Sequence, residues 1–282
     1  MQGKIVKIVS SDFTIQADKL YILKARGKFR NQKITPIVGD IVDFDEKRNL
    51  IIDILPRKNE LKRPPVANVS QVLIVVSLKD PDLDLYLLDK LLCIIEFNNI
   101  KPIICFTKKD LLKENVDDIY NYYKKIGYDV YYNDELEKIK QIFKDKITVL
   151  AGQSGAGKST LLNLLTPSLN LKTNEISKAL GRGKHTTRHV ELYPLFEGLI
   201  ADTPGFSSLE FYDMSKSDIR DNMIEFNTYR HDCLYKDCMH QKEEDCEIKR
   251  QLNKNILKSR YENYLKFIER NNLWKYQLHF YQ

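Results

Sequence analysis

Nowhere in the 282 residues do 18 apolar side chains follow one another, which excludes an ordinary membrane-spanning helix. The opening residues, Met1-Gln2-Gly3-Lys4-Ile5-Val6-Lys7-Ile8, lack the long apolar core of a secretory leader. A cytoplasmic protein with no membrane partner is therefore expected. Cysteine is sparse and odd in number, namely Cys93, Cys105, Cys233, Cys238 and Cys246. Three of these fall close together, which argues for a metal site in a reducing compartment rather than a disulfide framework. A net charge is also nearly missing from most of the chain. The formal excess is +6, and residues 1–63 hold all of it, with 14 Lys and Arg against 8 Asp and Glu. Residues 64–212 hold 18 against 19, and residues 213–282 hold 13 against 12. A polyanion is the natural partner of the first segment, whose runs include Lys24-Ala25-Arg26-Gly27-Lys28-Phe29-Arg30. The plainer alternative is a solvated basic face that aids solubility.

What is present divides by periodicity. Residues 4–17, 19–30, 37–44 and 50–55 alternate apolar and polar side chains between turn signals, as short half-buried strands do. Four or five such strands in some sixty residues predict a small closed barrel. An OB-like barrel is the economical choice, although period alone does not separate it from an SH3-like one. Arg63-Pro64-Pro65 reads as a linker. Beyond it, Val72 to Ser77 is a continuous apolar run, as in a strand buried on both faces. Residues 84–97, 114–126 and 134–144 read as helices. They alternate with strands at Ile103 to Phe106, Asp129 to Tyr132 and Ile147 to Ala151, the pattern of a doubly wound α/β domain. Cys93 and Cys105 lie on apolar faces and read as core.

Gly152-Gln153-Ser154-Gly155-Ala156-Gly157-Lys158-Ser159-Thr160 fits the phosphate-binding pattern G-x-x-x-x-G-K-[ST] between a strand and a helix. In that setting backbone N–H groups and the helix N-terminus face phosphate oxygens, Lys158 reaches the β- and γ-phosphates, and the Ser159 hydroxyl holds Mg²⁺. Thr107-Lys108-Lys109-Asp110 follows a predicted strand and fits [NT]-K-x-D. A carboxylate at Asp110 accepts from the guanine N1–H and 2-amino group, a donor pair that adenine lacks, while a lysine stem covers the base. Asp202-Thr203-Pro204-Gly205 places an aspartate where it contacts Mg²⁺ and a Gly205 N–H where it meets the γ-phosphate. Between these, Gly181-Arg182-Gly183-Lys184-His185-Thr186-Thr187-Arg188 reads as a switch loop. Thr187 is the expected magnesium ligand and Thr186 its alternative. An ordinary surface loop is the competing reading.

Cys233, Cys238 and Cys246 with one histidine suit a closed tetrahedral Zn²⁺ site of structural type. His240 and His231 both lie within reach in sequence. Ile248, Leu252, Ile256, Tyr264, Leu265 and Ile268 are expected on one face of a C-terminal helix.

The guanine-reading tetrapeptide precedes the phosphate loop, the reverse of the ordinary GTPase order. With that permutation, flanked by a barrel and a cysteine module, the chain resembles the circularly permuted GTPases of ribosome assembly, the RsgA family. The resemblance implies a multidomain α/β fold: an OB-like basic barrel over 1–63, a circularly permuted P-loop GTPase domain over 64–212, and an α-helical zinc-binding module over 213–282. It implies GTP and GDP as ligands, one Zn²⁺, Mg²⁺ with GTP, and the small ribosomal subunit and its rRNA as partners of a monomer. It favours His240 over His231 as the fourth zinc ligand. It also assigns His185 to positioning the attacking water, since Phe206 stands where many GTPases carry glutamine. A contact from His185 to RNA or phosphate is the alternative. Two features depart from expectation: Asn133-Asp134-Glu135 replaces the Ser-Ala guanine-edge motif, and the end from Trp274 is aromatic. Rival functions are an RNA-linked ATPase and a nucleotide-gated RNA-binding module with incidental turnover.

Overall fold

The computed structural model describes residues 1–25, 29, 34–62, 64–112, 117–166, 190–202, 210–211 and 213–278, with the side chains of Asp202 and of 271–278 left aside. Strands β1 (Gln2–Val9), β2 (Asp12–Gln16), β3 (Leu20–Ala25), β4 (Ile41–Asp45) and β5 (Leu50–Ile54) close on themselves in the order β1-β2-β3-β5-β4-β1. The parallel β3–β5 pair and the β1–β4 closure give the OB arrangement, which settles the choice against an SH3-like barrel. Inward residues such as Ile5, Ile15, Leu23, Val42, Phe44 and Ile51 are buried, as the alternation predicted. Stretch 4–17 is two strands, because the chain turns at Ser10 with a left-handed φ of 56°.

The expected linker is instead a hairpin, β6 (Glu60–Lys62) and β7 (Pro65–Ala67), with the turn at Pro64. It is fastened to the barrel. Buried Asp40 accepts from Arg57 Nε at 2.7 Å and Nη2 at 2.9 Å, and Gly39, at φ 91°, passes so close to Ala67 that a Cβ would lie 2.1 Å from its carbonyl oxygen. Proline at 64 and 65 thus serves a tight return rather than a free spacer.

Strands β8 (Gln71–Ser77), β9 (Lys101–Thr107), β10 (Asp129–Tyr132), β11 (Ile147–Ala151), β12 (Glu191–Leu195) and β13 (Gly198–Asp202) form the order β10-β9-β8-β11-β13-β12. Only β12 runs antiparallel to its neighbour. Alternate residues of β8 enter opposite cores: Val72, Ile74 and Val76 join one, Leu73 and Val75 the other. Helix α1 (Leu85–Phe97) covers the first face with α2 (Asp117–Lys125), while α3 (Leu136–Ile142) and α4 (Lys158–Leu165) cover the second. β1 also pairs with β12 at Lys7 and Glu191, so barrel and α/β core share one continuous sheet.

After Asp213 come α5 (Lys216–Asp221), started by a Ser215/Asp218 capping box, α6 (Phe226–Tyr229), α7 (Glu247–Arg250) and α8 (Lys258–Leu278). The single C-terminal face expected from Ile248 to Ile268 is split between α7 and α8, which a turn at Asn253 (φ 60°) separates. Helix α8 packs on α1 and buries Arg260 completely between Asp89, at 2.6 Å, and Glu225, at 2.9 Å from Nη2. Asn263 and Tyr123 complete the Asp89 carboxylate. Among the described residues, no helix is long and apolar enough to cross a membrane.

Candidate nucleotide site and cysteine cluster

Parallel strands deliver the predicted motifs to one edge. The phosphate loop leaves the C-terminal end of β11, Asp202 ends the adjacent β13, and Thr107 ends β9, one strand beyond β8. Ligand sites of open α/β sheets lie at that edge. The loop's shape depends on glycine at its first position: at Gly152 (φ 126°) a Cβ would stand 2.1 Å from the Val75 carbonyl oxygen. Gly157, at φ 94°, caps α4, so the helix starts at Lys158 with its free N–H groups facing the loop. Ser154, Gly155 and Thr160 are exposed and Ser159 is half-buried one residue into the helix.

Lys158 lies within the loop, its ammonium donating to the carbonyls of Gly152 at 2.7 Å and Gln153 at 2.8 Å. Burial pushes its pKa down from the ordinary lysine value. A half-buried cation held only by carbonyls gains more from an entering phosphate than a solvated one does.

The two distant motifs meet through one hydroxyl. Thr107, 3% exposed, donates from Oγ1 to the carbonyl of Ala156 at 2.7 Å, and its side chain packs beside Gly157. Lys108 adopts a left-handed φ of 60° and its ammonium donates to the Asp80 carbonyl, while Gln153 Nε2 donates to the Asp82 carbonyl at 3.3 Å. The β8–α1 loop therefore touches both motifs, a role the sequence reading missed. Asp110 sits in a short turn, Lys109–Leu111, exposed and with no ion-pair partner among the described residues. That leaves both carboxylate oxygens available to accept. Lys109 turns away, with its ammonium 4.1 Å from the Tyr132 ring centre and 3.1 Å from Asp117. At the altered guanine edge, Glu135 accepts from the Tyr132 N–H at 2.9 Å and closes the turn carrying Asn133 and Asp134. His185, Thr186, Thr187, Gly205 and Phe206 lie outside the described residues.

Cys233, Cys238, His240 and Cys246 come together with all ligand atoms within 4.8 Å of one another, and His231 is not among them. Tetrahedral Zn–S bonds of about 2.3 Å space their sulfurs about 3.8 Å apart, so the set fits that ion with little adjustment. His240 Nδ1 faces the sulfurs, 3.4 Å from Cys246 and 3.7 Å from Cys233, and is the ring nitrogen placed to ligate a metal there. Its Nε2 is buried without a hydrogen-bond partner among the described residues, and packing holds the ring, edge-on to Phe226 at 5.5 Å. Burial lowers the imidazole pKa to about 4 and pushes the Cys238 thiol up to about 12. The imidazole is thus neutral and ready to ligate at pH 7. Knuckle carbonyls are tied to α8, since Tyr261 and Tyr264 hydroxyls donate to those of His240 and Met239 at 2.6 Å each.

Comparison with known proteins agrees with this geometry. The RsgA N-terminal domain model matches residues 2–50 and the RsgA GTPase model residues 54–212. The chain is 48% identical to the small ribosomal subunit biogenesis GTPase RsgA 2 of Oceanobacillus iheyensis, over 95% of this chain and 96% of the relative. It is also 48% identical to the RsgA protein of Enterococcus faecalis, over 95% and 94%. Among solved structures it resembles YloQ, described as a circularly permuted GTPase, with a TM-score of 0.79 at 36% identity over 95% and 94% of the two chains. YjeQ from Thermotoga maritima gives 0.79 at 33% over 95% and 97%. With the sheet order, the permuted motifs and these likenesses in agreement, the chain belongs to the RsgA family of circularly permuted GTPases and is a GTP hydrolase.

Proposed function

We propose that this GTPase binds the small ribosomal subunit and its rRNA through the basic barrel and the cysteine module, assists late maturation of the subunit, and leaves after hydrolysis that the subunit stimulates. It acts as a cytoplasmic monomer. The observation that carries the nucleotide half is the Thr107 hydroxyl on the Ala156 carbonyl at 2.7 Å, which makes base reading and phosphate binding one unit.

In this reading Asp110 accepts from the guanine N1–H and 2-amino group, and the Lys108 stem covers the base. The N–H groups from Gly152 to Thr160 surround the phosphates, with Lys158 leaving its two carbonyls for the β- and γ-oxygens. Mg²⁺, when bound, screens the charge that builds on the bridging oxygens. Ser159, Thr187 and Asp202 would hold it, and the Gly205 N–H would face the γ-phosphate. His185 would orient the attacking water, because Phe206 offers no hydrogen bond. Slow turnover in isolation follows, with acceleration when the subunit engages the His185 segment. One structural Zn²⁺ on Cys233, Cys238, His240 and Cys246 would hold the knuckle that meets the subunit.

The test is a GTPase assay with and without purified small subunits, on the native chain and on His185→Ala. Stimulation is expected for the first and is lost in the second. Absence of stimulation in the native chain would favour an RNA-binding module with incidental turnover, and equal competition by ATP and GTP would favour an ATPase.

A further inference from the structure

The junction between barrel and α/β core opens on one side into a groove of about 660 Å³. It lies at the far end of the sheet from the nucleotide, because Asp145 and Lys146 precede β11 and Gly198 and Leu199 begin β13. The barrel contributes Lys4 and Gln16, which face each other across β1 and β2. The β12–β13 hairpin contributes Pro194 to Glu197 as a largely apolar floor. At its tip Phe196 and Glu197 both take left-handed φ values, and Phe196 packs at 5.8 Å on Phe143.

The charges in this groove are unevenly matched. Glu197 is neutralised by Lys144 at 2.9 Å. Lys4 is half-buried and Lys146 exposed, and neither has an ion-pair or side-chain hydrogen-bond partner among the described residues. Besides Glu197, Asp145 is the one carboxylate lining the groove. Burial already pushes the Lys4 pKa down, so an anion brought to it recovers a penalty the fold carries. An apolar floor with a partly exposed aromatic ring, flanked by two free ammonium groups and an amide, is how proteins hold a strand whose phosphates need cations and whose bases need flat apolar partners. The size suits one or two such units. The charge of the barrel segment, 14 Lys and Arg against 8 Asp and Glu, favours RNA over an acidic peptide.

We propose that this groove is a single-stranded RNA subsite, with Lys4 and Lys146 on backbone phosphates and bases lying over Pro194 and Phe196. The inference rests on the ribosomal reading and adds a contact surface distinct from the nucleotide edge.

A fluorescein-labelled single-stranded RNA decamer carrying 4-thiouridine tests it with the full chain. Lys4→Gln with Lys146→Gln is expected to raise the Kd about tenfold at low salt, and to flatten the log–log salt slope by about 0.7 for each lysine removed. Photocrosslinks to the peptide spanning 194–199 should be lost in that variant, while basal GTP hydrolysis stays the same. Lys146→Gln alone, at an exposed position that leaves the barrel intact, should give about a threefold effect, and Lys266→Gln on α8 none. An unchanged Kd with no crosslink at 194–199 overturns the proposal. So does a variant that loses polyglutamate binding yet keeps RNA. Sedimentation of the native chain with small subunits separates the two ideas: crosslinking in the groove without subunit binding sinks the ribosomal reading alone, and subunit binding without a groove crosslink sinks the groove alone.

Discussion

Replacing Thr107 by valine removes one hydroxyl and almost no volume, yet it should weaken GTP binding from a position that touches the phosphate loop only from behind. A hydroxyl has a single proton, and the Thr107 proton goes to the Ala156 carbonyl at 2.7 Å rather than to the Val76 carbonyl at 3.3 Å. Ala156 is fully buried, so its carbonyl would lose its partner without access to water. An acceptor stranded in this way costs about 1–3 kcal/mol. The loop can relax in the free protein but must be re-formed around phosphate, so about 1–2 kcal/mol of this should appear as affinity, a 5- to 30-fold higher Kd for GTP and GDP alike. Titration with a fluorescent guanine nucleotide reads it directly, and the melting temperature should fall by about 2–6 °C. Preference for guanine over adenine should persist, because Asp110 is untouched. Thr107→Ser keeps the proton and should stay within twofold of the native chain. A valine variant that binds as tightly as the native chain, or a serine variant as weak as valine, would refute the role given to the hydroxyl.

Asp110→Asn exchanges an acceptor for a donor, so GTP affinity should drop about 100-fold or more while xanthosine triphosphate, which offers a 2-oxo group, gains; competition binding with the two nucleotides checks this. Metal affinity of the cysteine cluster should rise with pH. Burial holds the Cys238 and Cys246 thiols protonated and the His240 imidazole neutral near pH 7, so binding expels thiol protons and acid competes with the metal. At least tenfold tighter binding per pH unit between 6.5 and 7.5 is expected in competition with a chromophoric chelator, and a flat profile would contradict it. Arg260→Met should destabilise the chain by about 3–5 kcal/mol in urea, since it leaves Asp89 and Glu225 buried and unpaired. Making all three positions apolar should recover most of that loss, whereas a loss below about 1 kcal/mol for Arg260→Met alone would show the pair to be solvated.

Local chemistry was the legible part of this chain. The phosphate loop was readable because glycines at fixed spacing between a strand and a helix have few other uses, and the structure returns β11 at the expected bounds with α4 directly after the loop. Strand alternation placed the barrel, but its identity lay in the β3–β5 pairing, a long-range fact that no period encodes. Pairs of prolines normally break a chain into parts, and Pro64-Pro65 misled for that reason, because Arg57 and Gly39 lock the hairpin down from outside it. Asp89 and Lys90 are charged residues inside the apolar helix α1, and no motif or period singles them out. Both are buried, and only their partners, 171 and 120 residues further along the chain, explain why.

Those two adjacent side chains bear on how the parts of the molecule can move. Lys90 holds Glu210 at 2.6 Å, eight residues beyond Asp202, and Asp89 holds Arg260 of α8 at 2.6 Å. Phe267 of α8 lies between, its ring 5.0 Å from Phe211 and 5.2 Å from Tyr86. A displacement of the chain at Glu210 must either break an ion pair whose lysine is 5% exposed or carry α1 with it. Breaking such a pair costs about 3–5 kcal/mol, as much as binding a γ-phosphate could reasonably supply. Moving α1 keeps both ion pairs and the link through α8 to the knuckle carbonyls that Tyr261 and Tyr264 hold, but it drags Leu88, Leu91, Leu92 and Ile95, all at most 1% exposed, across the sheet they cover. Both courses are costly, so these contacts hold the chain at Glu210, helix α1 and helix α8 together as one unit.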